Sequence, residues 1–363
     1  MLFRAGIIAR LIAAGFEVYV IAPNDAHTSA LIALGTRFHE LPISTQGRNV
    51  LDELSAARRL RRLYEKVEPD LVFHYTIKLN IYGVFAAHRL GIPSVCMVPG
   101  LGTFPDIRNN LVRVALARGY AYAARHASEI WFLNQHDYGF FESRGWLERT
   151  TARILPGEGV DTRRFAVQPL PRRRRPRVLF VGRLLATKGV ETFATAARLA
   201  RDLGLDMDFG LLGHLEEHSP SGISAELLQS WVRSGVLTYH GATDDVRPYL
   251  TQADIVVLPT YYREGLNRVL QEAMASGRPV VTTNVPGAGE LVTHESTGYI
   301  VPVRDPEAIC EALRYHFNLS RERREAMGKR ARKHIVRYHD EDIVHGHYFD
   351  AIARQAAATS TGA

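Results

Sequence analysis

The stretch ADIVVLPTYYREGLNRVLQEAMASGRPVVTTN, residues 253–284, decides how this chain is read. A buried apolar run, ADIVVLPT, ends in two tyrosines and leads through a polar turn into LNRVLQEAMASG, which reads as a helix opened by Asn267 and closed by Gly277. Two glutamates eight positions apart bracket that strand-to-helix turn. Glu264 sits on the loop; Glu272 lies on the helix, on the same face as Arg268 four residues before it. The backbone N–H groups of Gly265, Leu266 and Asn267 are expected to point at a ligand with the positive end of the helix dipole behind them, which suits an anionic phosphate. A carboxylate at each end can then meet the hydroxyls of a sugar and of a ribose. The plainer alternative is that Glu264 caps the helix and Glu272 only pairs with Arg268.

Working outward, the ordered string Glu264, Glu272, Ala273, Met274, Ala275, Gly277, Pro279, Val280, Gly287, Glu290 and Gly298 resembles the C-terminal signature of retaining GT-B glycosyltransferases. This is the bacterial family with a Glu-x7-Glu motif that transfers sugars from nucleotide-sugar donors. The resemblance implies two Rossmann-like, doubly wound α/β domains facing a cleft. It also implies a UDP-sugar as the commonest donor, with Glu264 orienting the sugar hydroxyls and Glu272 holding the ribose.

VGRLLATKGVETF, residues 181–193, is the second constellation. A strand runs into a loop carrying Gly182, Arg183 and Lys188 and then into a helix, so two cations stand at the carboxyl edge of a sheet, where open α/β sheets bind ligands. The family's matching Gly-Arg-x5-Lys-Gly pattern gives both cations to the donor diphosphate; here four residues separate Arg183 from Lys188. They can stabilise a departing diphosphate without a metal, so no metal or other cofactor is expected. GLLGHLEE, 210–217, occupies the place of a family Gly-x-Gly loop near the nucleotide, with Gly213 followed by His214. His240 and Gly241 follow a strand where backbone groups in the family meet the base.

In the first half, FHYTIKLNIYG at 73–83 places His74, Thr76, Lys78 and Asn80 after an apolar strand. It resembles the His-x-Thr-x-Lys-Pro-Asn segment of enzymes that extend polyprenyl-diphosphate-linked saccharides, with Leu79 in place of the proline. Thr76, Lys78 and Asn80 are the implied acceptor residues. VPGLGTF at 98–104 resembles a second cleft loop of that subgroup and carries Pro99 where a sugar-touching histidine often stands, so His74 is the candidate catalytic substitute. A histidine in that position is also commonly a satisfied structural residue.

Alternating apolar runs and helical patterns predict strands at GFEVYVIAP, DLVFHYT, PSVCMVPG and EIWFLN, then at RVLFVGR, DFGLLGH, VLTYHG, ADIVVLPT, RPVVTTN and GYIVPV. The predicted organisation is an acceptor-binding domain over 1–165, a Pro/Arg linker over 166–176, and a nucleotide-sugar domain over 177–335. A last helix over 336–363 crosses back to the first domain and ends in a disordered tail. The opening MLFRAGIIARLIAAGFEVYVIAP reads as helix then strand, whereas the family opens with a strand. A first strand is therefore expected to be missing, through a late start or a fragment.

The chain has 363 residues, 45 Lys and Arg against 38 Asp and Glu, and a net charge of +7, which favours anionic surfaces or substrates. ARRLRRLYEK at 57–66 and the helix-like 109–126, mixing Arg113, Arg118 and Arg125 with Leu111, Val114, Leu116, Tyr120 and Tyr122, concentrate that charge. Such a helix suits an anionic bilayer or a lipid diphosphate, and equally a core-facing helix with a solvated Arg edge. No nucleic-acid motif accompanies it. Cys96 and Cys310 lie far apart without metal-type spacing, and neither a membrane span nor a signal peptide is evident. The expectation is a cytoplasmic hexosyl- or N-acetylhexosaminyltransferase, peripheral on the inner face of the membrane, using a lipid-linked saccharide. A nucleotide-sugar epimerase on the same fold and a catalytically impaired partner protein are the rival readings.

Overall fold

A computed structural model of the chain describes residues 4–42, 50–102, 104 and 107–361. They divide into two compact units, Met1–Glu158 with His345–Ala363, and Gly159–Val344.

The first unit begins with α1 (Ala5–Ala13), β1 (Tyr19–Ala22), α2 (Thr28–Ala33) and β2 (Arg37–Glu40). It continues through α3 (Val50–Val67), β3 (Val72–Tyr75), α4 (Ile77–Arg89), β4 (Ser94–Val98), α5 (Asn110–His126), β5 (Glu129–Phe132), α6 (Gln135–Glu142) and β6 (Thr151–Ile154). Its strands are all parallel but form two separate sheets, β1-β2 and β3-β4-β5-β6. Every residue of β4 and β5 is buried, as expected of parallel strands covered on both faces. Aromatic edge-to-face contacts among Phe104, Tyr120, Phe132 and Phe141 fill the layer beneath α5 and α6.

The second unit contains β7 (Arg177–Val181), α7 (Val190–Asp202), β8 (Asp208–Leu212), α8 (Ala225–Arg233), β9 (Thr238–Tyr239) and α9 (Arg247–Gln252). There follow β10 (Ile255–Leu258), α10 (Arg268–Ala275), β11 (Val280–Thr283), β12 (Gly298–Val301), α11 (Pro306–Asn318) and α12 (Arg321–Tyr338). One parallel sheet runs β12-β11-β10-β7-β8-β9, the order of a doubly wound fold with its reversal between β7 and β10. The ten predicted strands are all present. The two that sequence reading missed, β2 and β6, are short, carry charged residues and have no fully buried position.

The segment 166–176, expected from its prolines and arginines to form no packed element, contains no helix or strand and is held through its carbonyls. Its carbonyls are taken by buried or half-buried arginines of the second unit. Arg278, fully buried, donates to Pro169 O at 3.0 Å, and Arg321 donates to Leu170 O at 2.6 Å and Pro171 O at 3.1 Å. Arginine forks supply the donors that this proline-rich backbone lacks.

The last helix, α13 (Glu341–Thr361), contributes its residues from His345 onward to the first unit. The expected disordered tail is helical to Thr361, consistent with the strong helix propensity of its alanines. Its anchor is Glu129, whose carboxylate is nearly inaccessible and accepts from Arg354 at 2.8 and 3.0 Å, from Arg153 at 3.1 Å and from the Trp131 indole at 2.9 Å. Burial pushes the Glu129 pKa up, but the hydrogen bonds from Arg354 and Trp131 and the charges of Arg354 and Arg153 outweigh it and hold the group below the ordinary carboxylate value.

Arg354→Ala removes two of these bonds while Arg153 and Trp131 remain, so a loss of about 1–3 kcal/mol is expected in denaturant unfolding at neutral pH. Because the folded-state pKa is depressed, the stabilisation is complete above the ordinary carboxylate range and is lost as pH falls through the folded value. The gap between variant and wild type should therefore narrow in acid. A gap independent of pH would assign Arg354 a packing role only.

Candidate active site

The loops that leave the carboxyl ends of β7, β8, β10 and β11 are tied to one another by backbone. The N–H of Gly182 donates to Leu212 O at 2.9 Å, that of Leu184 to His214 O at 2.8 Å, and that of Gly213 to Gly241 O at 2.8 Å. A Cβ on Gly213 would stand 1.7 Å from the carbonyl oxygen of Gly182, so only glycine lets the β7 and β8 exits approach this closely. The expected nucleotide residues Gly182, Gly213, His240 and Gly241 thus share one edge of the sheet. His240 is exposed, with its ring 5.4 Å from that of Tyr249; burial and the Arg177 charge lower its pKa.

A 3-10 turn at Ala186–Lys188 carries the second cation. Thr187 O accepts from Tyr261 N at 3.0 Å and Thr260 Oγ1 at 3.1 Å, which binds this turn to the loop after β10. Lys188 Nζ and Glu264 Oε1 are thereby brought into an ion pair, their side chains only 13% and 24% exposed. Arg183 is exposed nearby and shares the half-buried Tyr262 with Glu264: burial and the Glu264 charge raise the Tyr262 pKa, and Arg183 lowers it. Tyr262 is not among the expected site residues. Its only sequence signal is the tyrosine pair that ends the apolar run before Glu264.

Asn267 caps α10, its side-chain oxygen accepting from Leu270 N at 3.3 Å, so the alternative in which Glu264 caps the helix does not hold. The ion pair in that alternative is present, Arg268 Nε donating to Glu272 Oε1 at 2.9 Å. One expected phosphate donor is corrected. The N–H of Asn267 is occupied by Gly287 O at 2.8 Å, leaving those of Gly265 and Leu266 without a backbone partner among the described residues. Gly287 has φ +82°, and a Cβ there would meet Gly265 O at 2.0 Å, so the loop after β11 presses directly on the Glu264 turn. Glu272 is almost wholly buried; burial raises its pKa, partly offset by Arg268.

In the first unit, Thr76 and Lys78 stand at the start of α4, Thr76 exposed and Lys78 half-buried. Thr76 adopts φ +75°, a costly conformation for a β-branched residue. His74 and Asn80 are corrected to core positions. His74 is 2% exposed, meets the Tyr64 hydroxyl at 2.8 Å and is pushed down to about 3 by burial, so it is a neutral packing residue beneath α4. Asn80 is fully buried and donates from Nδ2 to Met97 O at 2.8 Å, pinning α4 to the end of β4. Alternation along β3 turns His74 away from the side on which Phe73 and Tyr75 meet Tyr348. In the loop 98–104, Thr103 lies outside the described residues.

Residues 4–156 match a family described as glycosyl transferase 4-like domain, and residues 175–318 match glycosyl transferases group 1. The chain is 27% identical over 362 residues to the N,N'-diacetylbacillosaminyl-diphospho-undecaprenol alpha-1,3-N-acetylgalactosaminyltransferase of Campylobacter jejuni, covering 95% of this chain and 93% of that protein. It is 22% identical to the UDP-Gal:alpha-D-GlcNAc-diphosphoundecaprenol alpha-1,3-galactosyltransferase of Escherichia coli, over 82% of this chain and 79% of the relative. Among solved structures, sucrose-phosphate synthase of Thermosynechococcus elongatus superposes with a TM-score of 0.79 at 20% identity, covering 97% of this chain and 92% of its own. Anabaena HepE in complex with UDP gives 0.78 at 18%, with 97% and 96% covered.

The buried Glu272 generates a test. With its folded-state pKa raised, its contribution to stability is complete below the ordinary carboxylate range and is lost as pH rises through the raised value. Glu272→Gln should therefore keep the ligand-free protein within about 1 kcal/mol of wild type, or above it, at neutral pH, and flatten the fall in stability as pH rises above the ordinary carboxylate range. A variant several kcal/mol weaker at neutral pH would mean that the Arg268 ion pair outweighs the burial of the charge.

Proposed function

Because this chain is a glycosyltransferase of GT-B architecture, we propose that it moves a hexose or N-acetylhexosamine from a nucleotide sugar to a saccharide carried on a polyprenyl diphosphate, with retention of anomeric configuration. The observation that carries the donor half is the Lys188–Glu264 pair at the strand ends of the second unit, beside Arg183 and the open N–H groups of Gly265 and Leu266. Diphosphate entering there meets cations and helix-terminal donors and needs no metal to balance it. Lys188 passes from Glu264 to the phosphate, and Glu264 is released to accept from sugar hydroxyls. Glu272, oriented by Arg268, accepts from the ribose. A uridine base is supported by the resemblance and by the UDP-galactose in the name of the Escherichia coli relative; relatives named as GDP-mannose-dependent enzymes keep guanosine as the comparison.

The acceptor hydroxyl forms a bond to the anomeric carbon as the bond from that carbon to the phosphate oxygen breaks, and its proton passes to the leaving phosphate on the same face of the sugar. Glu264, released by Lys188, orients the sugar through its hydroxyls and does not attack. In the first unit, Thr76 and Lys78 take the acceptor diphosphate. The lipid class is supported by the undecaprenol-linked substrates that the relatives' names print. No helix among the described residues is long and apolar enough to cross a membrane, so access to a lipid substrate calls for a surface that adsorbs to it. The start of α5 supplies one, with Leu111 83% exposed and Val112 and Val114 both exposed beside Arg113, while Tyr120, Ala123 and Ala124 farther along face the core. An enzyme assembling cell-surface polysaccharide at the inner membrane face follows.

Arg183→Ala and Lys188→Ala should each lower kcat/KM by about a hundred- to a thousandfold, the scale of losing one preorganised donor, with unfolding midpoints close to wild type. The assay is transfer from radiolabelled UDP-sugars to a polyprenyl-diphosphate saccharide, with the product anomer read by NMR. Wild-type rates in both variants, or an inverted anomer, would overturn the reading. UDP binding with no transfer to any acceptor would favour a non-transferring protein on this fold.

A further inference from the structure

The arginines of the segment PRRRRPR, 171–177, and of α12 are more numerous than the fold uses. Arg173 and Arg175 face Asp254, Asp206 and Asp208, and Arg321 and Arg332 hold backbone carbonyls. Arg172 and Arg174 are exposed, and the grip of Arg321 on Leu170 and Pro171 sets them beside the start of α12. The orientation of α12 is fixed: Met327, Gly328, Ala331 and Ile335 are buried, and a Cβ on Gly328 would stand 2.2 Å from Gly277 O. The opposite face carries Arg323, Lys329, Arg330, Lys333 and Arg337 at spacings of three, four and seven, one continuous stripe along the helix. Against these five cations the helix itself has one exposed carboxylate, Glu322, since Glu325 pairs with Arg321 at 2.8 Å, and exposed Glu295 from the loop before β12 lines the same hollow as Arg323 and Arg330. Arg330 uses its guanidinium structurally, on Ser296 O at 2.9 Å. At the carboxyl end of the stripe Val336 and Tyr338 are 43% and 46% exposed, with Arg337 over the Tyr338 ring at 5.1 Å.

We infer that the outer face of α12, with Arg172 and Arg174, is a docking surface for an anionic phospholipid bilayer. An extended row of exposed cations on a helix whose orientation is fixed is complementary to an extended surface of opposite sign, and a planar array of phosphates is such a surface. The exposed valine and tyrosine beside the cations distinguish a bilayer from a soluble polyanion, because they have an interface to enter only in the lipid case. This surface belongs to the second unit and is independent of α5 and of the donor chemistry.

The test uses the full chain and sedimentation with vesicles of phosphatidylcholine, with and without phosphatidylglycerol. The α12 triple variant Lys329→Glu, Lys333→Glu, Arg337→Glu is compared with wild type, and Lys329→Gln with Lys333→Gln serves as a milder pair. Binding to the anionic vesicles should fall about tenfold or more in the triple variant, fall less in the neutralised pair, and weaken with salt in wild type, while binding to phosphatidylcholine alone stays weak throughout. Unfolding midpoints and affinity for UDP should match wild type, which separates failure of this inference from failure of the donor-site reading. Unchanged anionic-vesicle binding in a folded triple variant would overturn the inference. So would a wild-type protein that binds heparin but not the anionic vesicles, which would assign the stripe to a soluble polyanion.

Discussion

The second unit depends on how closely its backbone crosses itself at the carboxyl edge of its sheet. Gly213 leaves no space for a side chain against Gly182, and Gly287 leaves none against the Glu264 turn. These two approaches draw the exits of four strands into one surface, and the rest of the site follows. With the β10 exit held on Thr187 by Tyr261 and Thr260, Lys188 can reach Glu264; with Gly287 O occupying Asn267 N, the turn before α10 is fixed while the N–H groups of Gly265 and Leu266 have no backbone partner among the described residues. A methyl group at either glycine would have to move backbone, and the movement would be passed directly to the charged groups.

The charges are arranged in two couples of different character. Lys188 and Glu264 are mostly buried but not sealed, so the pair presents a cation and an acceptor at the strand ends. In the second couple Glu272 is the deeper carboxylate, and burial works against its ionised form. A ribose that donates two hydroxyls to Glu272 would favour that ionised form and reverse part of the penalty. Burial of that carboxylate is a cost to stability that the Arg268 pair offsets only in part.

Much of this is legible in the sequence because it is periodic or local. The ten strands read from the sequence lie in largely apolar runs, the α10 cap is Asn267 at the expected place, and the Glu264 and Glu272 motif lies within one strand-turn-helix. Side-chain direction and long-range backbone bonding are not legible there. His74 and Thr76 are two residues apart on β3 and its exit, yet the helix that follows covers His74 and leaves Thr76 exposed. The Asn267 N–H looks available from its place at the helix start, but Gly287, twenty positions later, occupies it. The segment 166–176 looks unattached because its partners, Arg278 and Arg321, come from more than a hundred residues downstream.

If the Lys188 edge of the second unit receives a nucleoside diphosphate, calorimetric titration with UDP and UMP tests it most directly. Wild type should bind UDP about tenfold or more tightly than UMP, because only UDP carries the second phosphate, and the difference should largely vanish in Lys188→Ala. Equal affinity for the two nucleotides in wild type, or a preference for UDP that survives loss of Lys188, would contradict that assignment.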